Sequence, residues 1–126
     1  MIRHITPAGL DPQVPLTPGV RAGDWLFVSG QIANSADGTV LVGDFEKEVE
    51  LSIDNVAAVL EAAGATLADL VKVNAFLSNP LLFARFNAVY AERFPAPRPA
   101  RTSVIVSFGH PDVRVEIEAI AYLGSA

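Results

Sequence analysis

Arg101 and Glu116 stand fifteen residues apart, in Arg98-Pro99-Ala100-Arg101-Thr102-Ser103-Val104 and Val115-Glu116-Ile117-Glu118-Ala119. A guanidinium recognises a carboxylate through two parallel hydrogen bonds, and a nearby carboxyl group can position and deprotonate water. Together they describe a pocket for small carboxylate-bearing substrates and hydrolytic proton transfer. Plainer roles compete at each position. Arg101 could pair on the surface with Glu92 or Asp112, and Glu116 or Glu118 could be a solvated carboxylate bridged to Arg114. Arg98 reads as a solvated side chain, and sequence alone does not rank the two glutamates.

Other chemistries have less to work with. Ser29, in Val28-Ser29-Gly30-Gln31, lies within a strand where Gly30 permits close approach of a backbone or ligand. Ser103 has no evident base, because the histidines His4 and His110 fall at the chain start and in a turn, which argues against a Ser-His-Asp triad and against a metal site. Lys47 and Lys72 give Schiff-base chemistry little support. Cysteine is absent, and no glycine-rich phosphate loop or dinucleotide fingerprint is present. Hydrolysis without cofactor or metal is the chemistry that remains.

The chain of 126 residues reads as one domain, residues 1–126. It is 51% hydrophobic with a mean hydropathy of +0.37, more apolar material than a small monomer needs. No run reaches the roughly 18 apolar residues of a membrane span, and the N-terminus lacks the apolar stretch of a signal peptide. A cytoplasmic location without membrane partners is expected. A net charge of −5 and a pI near 4.8, with no basic stripe, disfavour nucleic acid as a partner.

The elements that must position these groups follow from periodicity. A hairpin turn over Val20–Trp25 leads into a strand over 25–32. Val49, Ile53, Val56, Leu60 and Ala63 step by four and three along a helix from about residue 45, which Gly64 closes. A strand over 70–78 precedes a second helix that starts near Pro80 and turns Leu82, Phe83, Phe86, Tyr90 and Phe94 inward. Strands over 102–108 and 113–123 follow, joined across Gly109–Asp112 in what reads as an antiparallel hairpin. The order ββαβαββ, with room for an extra N-terminal strand, predicts an α+β sandwich with both helices on one face of a mixed sheet.

Period-2 arithmetic assigns the faces. Val113, Val115, Ile117, Ala119, Ala121 and Leu123 point at the helices, with Arg114, Glu116, Glu118, Ile120 and Tyr122 opposite. On the 25–32 strand the sets are Leu26, Val28, Gly30 and Ile32 against Trp25, Phe27, Ser29 and Gln31. Trp25, Phe27, Phe76, Ile120 and Tyr122 are then uncovered in a monomer, which predicts a symmetric homo-oligomer closed over the open face.

Val28-Ser29-Gly30-Gln31-Ile32, Ser52-Ile53-Asp54-Asn55-Val56, Glu61-Ala62-Ala63-Gly64, Phe86-Asn87-Ala88-Val89-Tyr90, Arg98-Pro99-Ala100-Arg101-Thr102 and Val115-Glu116-Ile117-Glu118-Ala119 resemble, in this order, the Rid (YjgF) family of reactive intermediate deaminases. The resemblance runs from about Gly19 to Leu123. It implies a chorismate-mutase-like α+β fold with a mixed, mainly antiparallel sheet, and a homotrimer with clefts between subunits. It further implies hydrolysis of reactive 2-enamine and 2-imine carboxylates to 2-oxo acids and ammonia. By position, Arg101 would clamp the substrate carboxylate and Glu116 would position the water. Ser29, Gly30 and Asn87 would line the cleft, backbone near Ser103 would meet the substrate nitrogen, and Glu118 would be structural.

Two departures bear on substrate choice. Leu16 or a neighbour stands where well-studied deaminases of this family carry a tyrosine, and Ser103 replaces a cysteine. Leu16 keeps a second class open, a trimeric carboxylate-binding protein without turnover. A third, ribonuclease activity, fits poorly with the acidic pI and the lack of a histidine pair.

Overall fold

The computed structural model describes residues 1–124, so the last two residues of the expected domain lie outside the described residues. The strands are β1 (Ile2–Ile5), β2 (Gly19–Ala22), β3 (Trp25–Ile32), β4 (Leu70–Leu77), β5 (Ala100–Ile105) and β6 (Val115–Tyr122). The helices are α1 (Phe45–Ala62) and α2 (Phe83–Arg93). One six-stranded sheet has the order β1-β2-β3-β6-β4-β5, antiparallel except for the β4–β5 pair. Both helices pack on one face, as the sequence predicts, and the extra N-terminal strand is present.

The helices start and stop where side-chain chemistry requires. The Asp44 carboxylate accepts from the Lys47 amide at the start of α1. At its end, Gly64 (φ +78°) donates to Glu61 and Ala65 donates to Leu60, a Schellman closure that only a residue tolerant of positive φ makes cheaply. A short 3-10 turn over Pro80–Leu82, capped by Asn79, leads into α2. Arg98 is not simply solvated: its Nε donates to the Phe94 carbonyl, satisfying an orphan acceptor beyond the last turn of α2.

The core lies between the helices and the helix-facing side of β3, β4 and β6. Phe45, Val49, Ile53, Val56 and Leu60 of α1 are fully buried against Leu26, Val73, Val115, Ile117 and Ala121. Each such side chain contributes about 1.5–3 kcal/mol by leaving water. The other sheet face is bare. Trp25, Phe27 and Tyr122 remain 45, 46 and 41% exposed, with Phe76 and Ile120 half-buried.

Three further expectations are corrected. β5 and β6 do not form a hairpin: β4 lies between them, and β5 runs parallel to it. The turn at Gly109–Asp112 is therefore part of a crossover, a distinction that linker length alone does not make. The face assignment on β3 fails after Val28. Val28 opposes Ala119 while Gln31 opposes Ile117, so β3 spends three steps on two of β6. This bulge turns Ile32 toward the open face and Gln31 toward the helices.

Arg114 does not stay with Glu116 and Glu118 on the open face. It reaches α1, where its Nε donates to Glu48 at 3.0 Å and a second nitrogen completes a bidentate pair. Glu48 is 1% exposed and depends on that partner. Replacing Arg114 with alanine should cost roughly 3 kcal/mol in a denaturant titration, because it leaves a buried carboxylate unpaired.

Candidate functional site

Two groups of residues carry the chemistry, and the sheet separates them. The first is built by the β3 bulge. Gly30 sits in the extra turn of backbone, and a Cβ there would lie 2.8 Å from Glu116 Cδ. Only glycine leaves room for this carboxylate. Two side chains of α1 hold the bulged end in place. Ser52 donates to the Gln31 carbonyl at 2.7 Å, and Asn55 Nδ2 donates to the Ile32 and Asn34 carbonyls, both at 2.9 Å.

Glu116 is half-buried and projects from β6 beside that bulge. Desolvation raises its pKa above the ordinary glutamate value of 4.5, and the nearby Glu118 raises it further. Among the described residues the ion pairs are Arg85–Glu46, Arg93–Glu50, Arg93–Asp54 and Arg114–Glu48, and Glu116 takes part in none. Glu118 differs, because it accepts from Asn74 Nδ2 at 3.1 Å. The structure thus separates two glutamates that sequence could not rank: one is tied to β4, the other is free.

Glu116 and Gly30 lie on the wall of a cleft of about 550 Å³. It forms at the end of β3, beyond the last residue that β2 covers, and the segment between β1 and β2 closes it. Pro7, Pro12 and Pro18 of that segment line the cleft, as do Leu16 and His110. His110 is a turn residue in the sequence. The crossover carries it to the cleft, and its Nδ1 accepts from the Asp112 amide at 3.1 Å.

Ser29 is not in this cleft. Its hydroxyl donates to the Thr17 carbonyl at 2.6 Å and its amide to Pro18, which pins the proline-bearing segment to β3. It borders a neighbouring depression with Glu118 and Asn74.

The second group lies on β5 and α2. Arg101 opposes Val73 and Ser103 opposes Ala75, both core-facing residues of β4, so both side chains point to the helix side. The Arg101 guanidinium carbon rests 4.7 Å from the Tyr90 ring centroid and 5.4 Å from that of Phe86. It stays exposed and enters none of the ion pairs above, so neither Glu92 nor Asp112 takes it. Beside it, the buried Tyr90 and Ser103 hydroxyls find no hydrogen-bond partner among the described residues. Asn87 is exposed on α2.

Arg101 and Glu116 therefore do not meet within one copy. Glu116 opposes Phe76 and faces the open side, whereas Arg101 faces the helices. β4 intervenes, and adjacent strands are about 4.8 Å apart. A single substrate can touch both only if a second copy brings its own half. Among the described residues no group of three potential metal ligands occurs, and no helix is long and apolar enough to cross a membrane.

A family model described as endoribonuclease L-PSP matches residues 6–123, nearly the whole chain and including both halves of the site. The chain belongs to this, the Rid (YjgF) family. A RutC family protein of Pyrococcus horikoshii is 42% identical over 112 residues, 88% of this chain and 89% of its own. A 2-iminobutanoate/2-iminopropanoate deaminase of Dermatophagoides farinae is 37% identical over 119 residues, 94% and 93% of the two chains. Among Rid-like folds, the crystal structure of Escherichia coli TdcF with bound serine superposes with a TM-score of 0.85 at 33% identity, covering 95% of this chain and 98% of that one.

Sequence reasoning missed the pins Ser52 and Asn55, the cleft wall before β2, and the aromatic bed under Arg101. Only the pins left a signal: two polar residues three apart, on a helix face otherwise made of Val49, Ile53 and Val56.

Gly30→Ala tests the geometry. The new methyl meets the movable end of a side chain, so the protein should still fold while the carboxylate is pushed aside. A misplacement of about 1 Å costs on the order of 10²-fold in rate. Any reaction that relies on this carboxylate should slow by that order while the melting temperature changes little.

Proposed function

We propose that this protein hydrolyses reactive 2-imino and 2-enamino carboxylates to 2-oxo acids and ammonia, in clefts formed between the subunits of a homotrimer. Arg101 of one subunit holds the substrate carboxylate through two hydrogen bonds. Glu116 of the neighbour takes a proton from water as its oxygen bonds to C2 of the imine, then returns the proton to the nitrogen. The resulting carbinolamine then gives up its hydroxyl proton, which the same carboxylate passes to the nitrogen; the C2–N bond breaks, ammonia leaves, and the oxygen on C2 becomes the carbonyl of the 2-oxo acid. No electrons are exchanged with a third party. An enamine first takes a proton at carbon to become the imine.

The observation that carries this reading is the half-buried carboxylate of Glu116, outside every ion pair among the described residues and fitted against a glycine whose missing Cβ leaves it room. Its raised pKa brings its proton affinity closer to neutrality, where one group can both take and give a proton. Imines hydrolyse in water unaided, so orientation and one acid–base group suffice. The uncovered Trp25, Phe27 and Tyr122 support self-association, as do the two unpartnered hydroxyls beside Arg101. The deaminase relative and the serine held by TdcF point the same way, serine carrying the carboxylate and nitrogen on adjacent positions.

Ser29 then acts by holding the cleft wall, and Asn87 and backbone near Ser103 contact the substrate from the arginine side. An amino-acid oxidase generating imines in situ, coupled to detection of ammonia, tests the reading. Release above the oxidase-only rate is expected. Binding of 2-oxo acids with no such increase would make it a carboxylate-binding protein instead, the class that Leu16 in place of a tyrosine keeps open.

A further inference from the structure

We propose that the cleft beside Glu116 receives the substrate's side chain, and that the enzyme prefers imines bearing branched aliphatic or aromatic side chains over 2-iminopropanoate. The inference rests on imine hydrolysis at Glu116 and names the substrates that site selects. Its basis is what faces the cleft and what does not.

The volume, about 550 Å³, lies in the range of pockets that enclose ligands far larger than a three-carbon acid. Leu10, Val14, Leu16, Ile32, Val40 and Ala58 line it. Val14 and Leu16 are 58 and 48% exposed, so their apolar surface is free to be covered. The prolines of the segment hold these side chains with little backbone freedom to collapse inward.

Polar residues also reach the cleft, and several of their donors are committed elsewhere. Gln31 Nε2 donates to the Ser29 carbonyl, Gln13 Nε2 to Asp11, and Asn55 Nδ2 to Ile32 and Asn34. Of the two carboxylates on the wall, Asp11 and Glu116, the second is reserved for water in the proposed reaction, and neither offers a donor when ionised. A polar substrate side chain would exchange water for a wall with few donors to offer. An apolar one would replace water against Leu16 and Val14, a favourable exchange in proportion to the area covered.

One methylene in a hydrophobic pocket changes selectivity by roughly tenfold or more. The leucine-derived imine carries a larger side chain than the alanine-derived one, and a partly open wall recovers only part of that gain. We therefore expect kcat/KM at least tenfold higher for the leucine- and phenylalanine-derived imines than for 2-iminopropanoate. Leu16→Asn with Val14→Ser should bring the ratio close to one. Both positions are exposed, and an unchanged thermal transition checks that the variant folds.

Binding of 4-methyl-2-oxopentanoate and pyruvate, measured by calorimetry on the wild-type protein, gives a second arm independent of turnover. The larger acid should bind about tenfold tighter. Rates and affinities equal within about twofold would overturn the side-chain assignment while leaving imine hydrolysis standing. If no imine is turned over, the hydrolytic reading fails. The oxo-acid affinities then decide the assignment alone: tighter binding of the larger acid upholds it, and equal binding ends it.

Discussion

Arg101→Ala is expected to lower kcat/KM for every 2-imino acid by roughly 10²–10³-fold, the usual cost of removing a charged group that holds a reacting substrate. Stability should barely change. In one copy the guanidinium is exposed, forms none of the ion pairs and only rides over Tyr90 and Phe86. A cation–π contact at an exposed site is worth about 0.5–1 kcal/mol. Arg101→Lys should be nearly as inactive, because an ammonium cannot offer two parallel donors. Ammonia-release kinetics and a melting curve on the same samples separate the two effects. Near-normal activity of the alanine variant would remove the carboxylate clamp from the mechanism.

Glu116→Gln should lose about 10²–10⁴-fold in kcat, the contribution of a positioned acid–base group, and should become more heat-resistant at neutral pH. The stability sign follows from desolvation. The folded-state pKa of Glu116 is raised above its ordinary value of 4.5. Between those two values the folded protein binds more protons than the unfolded chain, so stability falls as pH rises through the window. At neutral pH the cost of the buried charge is fully present, and glutamine removes it. Activity has the opposite dependence: the carboxylate form must take the proton, so rate falls as pH drops through the raised pKa. Glu118 is the second cause of the shift, so Glu118→Gln should move that acid limb to lower pH. A pH–rate profile of both proteins reads this directly. A variant of Glu116 that is inactive and also less stable would mean the carboxylate is structural.

The helices and core faces were legible because they are written locally. A three-four stripe from Val49 to Leu60 and an unbroken alternation from Val113 to Ala121 each encode one buried surface. Gly64 marks a helix end by its backbone freedom alone. What failed to show is non-local. Nothing near Gly109–Asp112 states that β4 will insert between β5 and β6, since that depends on which strand reaches the open edge of β6. The bulge at Ser29–Gly30 inverts the later face of β3, and its cause lies on other elements, in the Glu116 carboxylate and the Ser52 and Asn55 hydrogen bonds. Strand parity puts Arg114 with Glu116, yet it precedes β6 and is drawn to the buried Glu48.

The residues singled out for chemistry divide in a way strand parity could not display, because parity within a strand says nothing about which neighbour its face meets. Gly30 and Glu116 converge at the bulge. Ser29 turns aside to hold Thr17, and Arg101, Ser103 and Asn87 gather near α2 on the far side of the sheet.

The central claim is that each working site takes its arginine from one subunit and its glutamate from another. Mixed assemblies of two variants test it most directly. Arg101→Ala and Glu116→Gln, each inactive alone, are dissociated together, allowed to reassemble in equal amounts, and assayed for ammonia release. In a symmetric ring each seam draws its two groups from different subunits, so random mixing leaves about a quarter of the seams with both intact. Recovery of about that fraction of wild-type activity is the predicted result. A mixture as inactive as its parents, although shown to contain both chains in one assembly, would contradict it.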